Sequence, residues 1–195
     1  MQMKNQLSRI ATLSLLGLGM LAASSGGFAQ TPGFYAGGTI GRSMISDGCG
    51  VVAAGVACDD TSTAWKVLAG YQIGKHFAAE AGYTRLADRA SGGAGGAANT
   101  KSTAFEAVGI GGNPLTASFS IYGKLGMYTA STKTTAAAGN AEESNSNLTF
   151  GFGARYDFSK PLAARAEWQR YKGVGGDTMG RTDITVLSIG AIFKF

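Results

Sequence analysis

The sequence predicts an all-β fold, an eight-stranded antiparallel up-and-down transmembrane β-barrel, and three observations carry that prediction. The first is a period of two between 148 and 158: Leu148, Phe150, Phe152, Ala154, Tyr156 and Phe158 alternate with Thr149, Gly151, Gly153, Arg155 and Asp157, and only an extended strand turns that period into two faces. The second is the content of those faces. A soluble sandwich turns Lys, Glu, Thr and Ser to water, whereas here the face opposite the aromatics is glycine with isolated charges, as in a narrow barrel that is apolar outside and crowded inside. The third is the rhythm of the connections, which run alternately long (44–62, 88–101, 131–146, 173–181) and short (74–76, 112–118, 159–161). Barrels that cross the outer membrane have short periplasmic turns and long outer loops.

Size and composition set the frame. The 195 residues suit one domain, and 45% hydrophobic with 15% charged residues is apolar for a soluble protein of this length. Glycine numbers 31, about 16% and roughly twice the usual share, scattered through strands as well as loops.

Residues 1–29 read as a secretory signal. Lys4 and Arg9 form the positive end, Ile10 to Ala23 the apolar run, and Gly27-Phe28-Ala29 the small-x-small cleavage site. The remaining residues, 30–195, form the barrel domain. The apolar run is shorter than the ~20 residues of a spanning helix, so the span is expected from strands. Without Lys4 and Arg9, 15 basic residues stand against 12 acidic ones, a net +3 spread along the chain, and no nucleic-acid patch results.

The first strand runs from Phe34 to Ser43, with weakly distinct faces. In the second, Trp65, Val67, Ala69, Tyr71 and Ile73 oppose Ala64, Lys66, Leu68, Gly70 and Gln72. After the turn at Gly74-Lys75-His76, Phe77, Ala79, Ala81, Tyr83 and Arg85 oppose Ala78, Glu80, Gly82 and Thr84. The glycine run 91–96 lacks the Lys-Ser/Thr and the helix of a phosphate loop and reads as a connection. In the fourth strand, 103–111, Glu106 turns inward and leaves Phe105, Ala107 and Gly109 outside. In the fifth, Phe119, Ile121, Gly123, Leu125 and Met127 oppose Ser120, Tyr122, Lys124, Gly126 and Tyr128.

The sixth strand is the stretch 148–158. After Ser159-Lys160-Pro161, the seventh sets Leu162, Ala164, Ala166 and Trp168 against Ala163, Arg165, Glu167 and Gln169. In the last, Thr182 to Phe195, Leu187, Ile189, Ala191, Phe193 and Phe195 oppose Ser188, Gly190 and Lys194, while Ile184, Val186 and Ile192 blur the contrast. Pairing the last strand with the first removes both edges. Strands of roughly ten residues suffice for a tilted crossing of ~30 Å of hydrocarbon.

Four cations, Lys66, Lys124, Arg155 and Arg165, and four anions, Glu80, Glu106, Asp157 and Glu167, point inward in this reading, and buried charges persist when paired. They predict a charge network that plugs the lumen. Trp65 and Trp168 toward the long loops, with Tyr71, Phe77, Phe119, Phe158 and Phe195 toward the short turns, suit two aromatic girdles. Cys49 and Cys58, an isolated pair in an exported chain, read as a disulfide in the first loop; zinc would need two further ligands, and the one histidine, His76, lies on another turn. No cofactor and no metal is expected.

Ile121-Tyr122-Gly123-Lys124-Leu125-Gly126, Glu80-Ala81-Gly82-Tyr83, Arg165-Ala166-Glu167-Trp168 and the closing run to Phe195 resemble, in order and spacing, the OmpA-type eight-stranded outer-membrane barrel family. The resemblance implies that Glu80, Lys124, Arg155 and Glu167 correspond to the family's lumen charge cluster, and that Phe193 and Phe195 carry the terminal aromatic signal read by the outer-membrane assembly machinery. It covers the transmembrane domain, so the family's peptidoglycan-binding domain and a wall-anchoring role are not expected. The cysteine pair has no place in the family pattern.

The function implied is that of a non-enzymatic integral protein of a Gram-negative outer membrane. It would lie among outer-membrane lipids and lipopolysaccharide, contribute to envelope integrity, conduct at most through a small or gated channel, and offer long loops to host or surface ligands. Two alternatives differ in what they need. A lipid-modifying enzyme on such a barrel needs a nucleophile and base at the loop end, whereas His76 falls at the turn end. An exported lipocalin-like barrel needs an oily lumen and a polar exterior, the reverse of the alternation at 148–168.

Overall fold

The computed structural model describes residues 32–46, 61–93, 96–136, 139–176 and 180–195. Eight strands, β1 (Gly33–Ile45), β2 (Thr61–Gln72), β3 (Phe77–Gly93), β4 (Gly96–Pro114), β5 (Phe119–Ala136), β6 (Gly139–Asp157), β7 (Leu162–Gly176) and β8 (Gly180–Lys194), follow one another around a closed barrel. Every pairing is antiparallel, and β8 closes on β1 from Tyr35↔Lys194 to Ile45↔Ile184. Closure leaves the spanning backbone without an edge, which a strand in hydrocarbon requires.

The exterior is the apolar face. Ile40, Val67, Phe105, Leu125, Phe152 and Ile189 lie on its exposed surface. On the inner face glycine makes room for large rings: the Tyr35 ring occupies the space that a Cβ on Gly70 would fill, and the Tyr122 hydroxyl does the same at Gly153. Glu106 points inward with no exposed surface, onto the face where a carboxylate can be tolerated.

Two expectations need correction. The stretches 88–101, 131–146 and 173–181 read as loops, yet the described parts of them continue the strands: β3 and β4 stay paired to Gly93↔Gly96, β5 and β6 to Ala136↔Gly139, and β7 and β8 to Gly176↔Gly180. The strands reach 19 residues in β4 and β6, longer than the crossing needs. Above the membrane both faces meet water, so Thr, Ser and Asn serve on either side and the hydrophobic period that reveals a strand vanishes. Their cross-strand hydroxyl pairs, Thr100–Thr134 and Ser102–Thr132 at 3.1 Å each and Thr129–Ser146 at 2.8 Å, are ordinary β-sheet partners.

The second correction concerns the inner face, which is more than glycine and charge. Ile184, Val186 and Ile192, which blur the last strand, all turn inward and are buried. With Leu86, Tyr128, Tyr171 and Val174, the first two form an apolar cluster on the loop side; Ile192 joins Tyr35, Leu68, Ala78 and Ala163 on the turn side. A register shift between Tyr171 and Val174 marks a bulge in β7. There Gly173 has φ 60° and Gly175 φ 101°, backbone conformations that side chains rarely adopt.

Candidate functional site

The lumen is built in layers that can be read down each strand. Along β2 the inward residues are Ala64, Lys66 and Leu68; along β7 they are Ala163, Arg165, Glu167, Gln169 and Tyr171. Charge thus lies between apolar residues on both, and the two apolar clusters cap a central polar layer. Six charged side chains occupy that layer, Lys66, Glu80, Glu106, Lys124, Arg165 and Glu167, each no more than 5% exposed. Three cations face three anions.

Their geometry is a connected network. Glu167 lies at its centre: Oε1 accepts from Lys124 Nζ at 2.6 Å and Lys66 Nζ at 3.0 Å, and Oε2 from Arg165 Nη2 at 2.5 Å and the Tyr122 hydroxyl at 3.1 Å. Glu106 Oε1 accepts from Lys66 at 2.9 Å and stands 3.6 Å from Lys124. Its Oε2 accepts from the Tyr171 hydroxyl at 2.6 Å and from Gln169 Nε2 at 2.7 Å. Arg165 reaches Glu80 Oε2 with Nη1 at 2.7 Å, donates Nε to Tyr122 at 3.0 Å, and holds its guanidinium 5.2 Å from the Tyr122 ring centre. Tyr35 donates to Glu80 Oε2 at 3.2 Å. Glu80 Oε1 is buried with no hydrogen-bond partner.

Two predicted members lie elsewhere. Arg155 and Asp157 form a 3.5 Å pair at the turn-end rim, where Asp157 also takes Lys194 at 2.6 Å. They are near the end of β6, where Arg155 pairs with Arg165 and Asp157 with Ala163 across the ladder, and at 16% exposure each they border the central layer on its turn side instead of lying within it. Sequence reasoning also passed over the neutral members. Gln169 bridges Lys66, Glu106 and Thr149, and Tyr35, Tyr122 and Tyr171 supply hydroxyls. All four occupy inward phases of their strands, which was the available signal.

The girdle residues divide by position. Tyr71 packs against Phe34 at 4.8 Å, Phe158 against Tyr156 at 5.1 Å and Phe195 against Phe193 at 5.4 Å, all toward the turns. Phe77 projects at the turn-end start of β3, and Phe119, first in β5, is half-buried. Trp65 packs against Tyr83 toward the loops. Trp168 stacks on Phe152 at 5.0 Å in the middle of β7, because that strand continues to Gly176.

Beyond Trp65 and Trp168 a second polar cluster ties β7 to β8. Asp183 accepts from Lys172 at 2.5 Å, from Arg170 at 3.0 Å and from the Gly173 N–H at 2.9 Å. The Lys172 hydrogen bond, aided by those of Gly173 and Arg170, holds its carboxyl below the ordinary aspartate value.

At the turn end a cavity of about 50 Å³ lies beneath Glu80 and Arg165. His76 borders it and places Nδ1 3.0 Å from the Gly112 carbonyl. Among the described residues no group of three or more His, Cys, Asp or Glu is placed to hold a metal. Residues 1–31, Cys49 and Cys58 lie outside the described residues.

Comparison with known proteins agrees with this architecture. A family model described as OmpA-like transmembrane domain matches residues 29–195. Neisserial surface protein A is 15% identical over 83% of this chain and 97% of its own, with a TM-score of 0.67. Ail, the attachment invasion locus protein of Yersinia pestis, is 13% identical over 85% of this chain and all of its own, TM-score 0.59. The N-terminal β-barrel domain of Pseudomonas aeruginosa OprF is 12% identical over 85% of this chain and all of its own, TM-score 0.57. No curated protein sequence matches.

Proposed function

Since the chain belongs to the family of OmpA-like transmembrane domains, we propose that it is a closed outer-membrane barrel with two separate tasks: a lumen that blocks passage, and a strand-built outer rim that meets surface ligands. The observation that carries this reading is the layering of the interior. A balanced charge layer sits between two apolar layers in a barrel of eight strands, the size at which side chains just fill the interior. A porin needs an aqueous path, whereas this interior is occupied by ion pairs that would have to be separated for solutes to pass. The role is structural and non-enzymatic: His76, the one histidine, sits at the turn end, remote from the outer leaflet where a lipid-modifying nucleophile and base would act.

The outer rim supports the second task. The paired extensions of β3 to β6 raise a polar sheet beyond the membrane, held by the hydroxyl pairs and by Lys133–Glu142 at 3.1 Å. Ail, similar in fold, has been crystallised with the heparin analogue sucrose octasulfate, which accords with a rim that contacts surface ligands. Export by a signal peptide cleaved after Ala29, and assembly through Phe193 and Phe195, complete the reading.

A deletion strain tests both tasks. Complementation by the wild type restores resistance to detergent and surface attachment; a variant with the β5–β6 extension shortened restores resistance alone. Equal envelope resistance and attachment with and without the protein would contradict the proposal.

A further inference from the structure

One feature of the lipid-facing surface has no part in the lumen or the rim. Along a single register row, Phe77 pairs with Gly111, Gly111 with Gly123, and Gly123 with Phe152. All four positions face outward. Two adjacent glycines therefore lie between two phenylalanines that are 66% and 62% exposed. The result is a groove of about 610 Å³, floored by backbone and bordered at its turn end by Ile121, Asn113 and His76.

The glycines are not required by crowding. A Cβ at Gly111 would find its nearest atom, on the Phe77 ring, 4.0 Å away; at Gly123 the nearest is the Gly151 carbonyl oxygen at 3.9 Å. Both are ordinary contacts, in contrast to the inward Gly70. Glycine is also a poor strand residue, so its use twice in one outward row, with no steric demand for it, leaves the groove as its structural product.

We propose that this groove binds one acyl chain of a phospholipid from the periplasmic leaflet, with the lipid phosphate at the β2–β3 turn. The chemistry of the two ends matches one molecule. The groove is apolar and opens to hydrocarbon, and His76 and the Asn113 amide border its turn end, while Lys75, exposed beside His76 on the same turn, also borders the lumen cavity. An ammonium and an amide N–H are phosphate donors. The shape selects the chain over a second copy of the protein. The rings of Phe77 and Phe152 stand proud of the glycine floor, so a flat barrel surface would rest on the rings without reaching it, whereas a single flexible chain fits between them.

The test uses the full protein, purified in mild detergent, exchanged free of lipid and titrated with palmitoyl-oleoyl phosphatidylglycerol under native mass spectrometry. One lipid bound per wild-type chain is expected. The double substitution G111L/G123L, folded by its heat-dependent gel shift, fills the groove and lowers retention by about tenfold, and K75Q lowers it by a similar factor. A69L adds the same side chain elsewhere on the outer face and leaves retention unchanged. Equal retention by wild type and G111L/G123L would overturn the proposal. So would equal loss in A69L, or a lipid-free wild-type dimer that G111L/G123L dissociates.

Discussion

Lys66 and Glu106 belong to strands that are not neighbours, yet Nζ and Oε1 stand 2.9 Å apart because Gly82 of the intervening strand β3 lets them meet above it. A Cβ on Gly82 would lie 3.3 Å from Glu106 Cγ and 3.5 Å from Lys66 Cδ. Alanine fits with a shift of a few tenths of an ångström, and a branched side chain does not. Gly82→Val is expected to lower the stability of the folded barrel by about 1–3 kcal/mol, the usual cost of overpacking, and Gly82→Ala by much less. Urea unfolding in lipid vesicles, followed by tryptophan fluorescence, measures the difference; equal midpoints for the two variants would contradict it.

Glu167 compensates three cations, so its neutral isostere is a sharper probe of the network. Glu167→Gln leaves Lys124, Lys66 and Arg165 with one anionic partner fewer in a buried layer, at an expected cost of about 3–5 kcal/mol. Asp157→Asn is the comparison: its side chain is 16% exposed, against 1% for Glu167, and the expected cost is smaller. The same unfolding assay compares them. A Glu167→Gln protein as stable as Asp157→Asn would show that the central charges are solvated.

Acid should loosen the rim before it opens the barrel. The carboxyl of Asp183 is held below its ordinary value by Lys172 first, then by Gly173 and Arg170. A group whose folded pKa is depressed adds stability above its unfolded pKa, about 3.9 for aspartate, and that stability is lost as pH falls through the folded value. The expected outcome is faster pepsin cleavage near the β7–β8 bulge as pH drops below about 4. Asp183→Asn should be cleaved readily throughout that range with little further pH dependence.

The first loop carries the remaining expectation from sequence. Cys49 and Cys58 are proposed to be joined, so the unreduced, denatured protein should show no reactive thiol. The bridge contributes about 2–3 kcal/mol by restricting the unfolded chain. Cys49→Ser with Cys58→Ser should still insert, since β1 and β2 pair from Gly33↔Gln72 to Met44↔Thr61 without them, and should be cleaved faster between 44 and 62. Two free thiols in the wild type would refute the bridge.

How far the sequence could be read depended on what surrounded each segment. Between Trp65 and Phe195 the membrane enforced a contrast between faces, so the inward phase of Lys66, Glu80, Lys124, Arg165 and Glu167 was legible from alternation alone. Glu106 was legible only by asking which face would tolerate a carboxylate. Beyond the membrane the contrast disappears, and strands such as 131–136 and 142–146 look like loops. Ile184, Val186 and Ile192 blurred the last strand for a related reason: an apolar residue inside and one outside carry the same local signal. Arg155 and Asp157 had the inward phase, but their height along the barrel, which decides whether a charge is buried or wet, depends on tilt and register that alternation does not encode.

Closure of the lumen by ion pairs and two apolar layers is tested by single-channel recording of the full protein in planar lipid bilayers. A silent or rarely conducting wild type is expected, with brief small openings that become more frequent in Glu167→Gln as the network loses its central anion. Large, steady, porin-like currents from the wild type would contradict it.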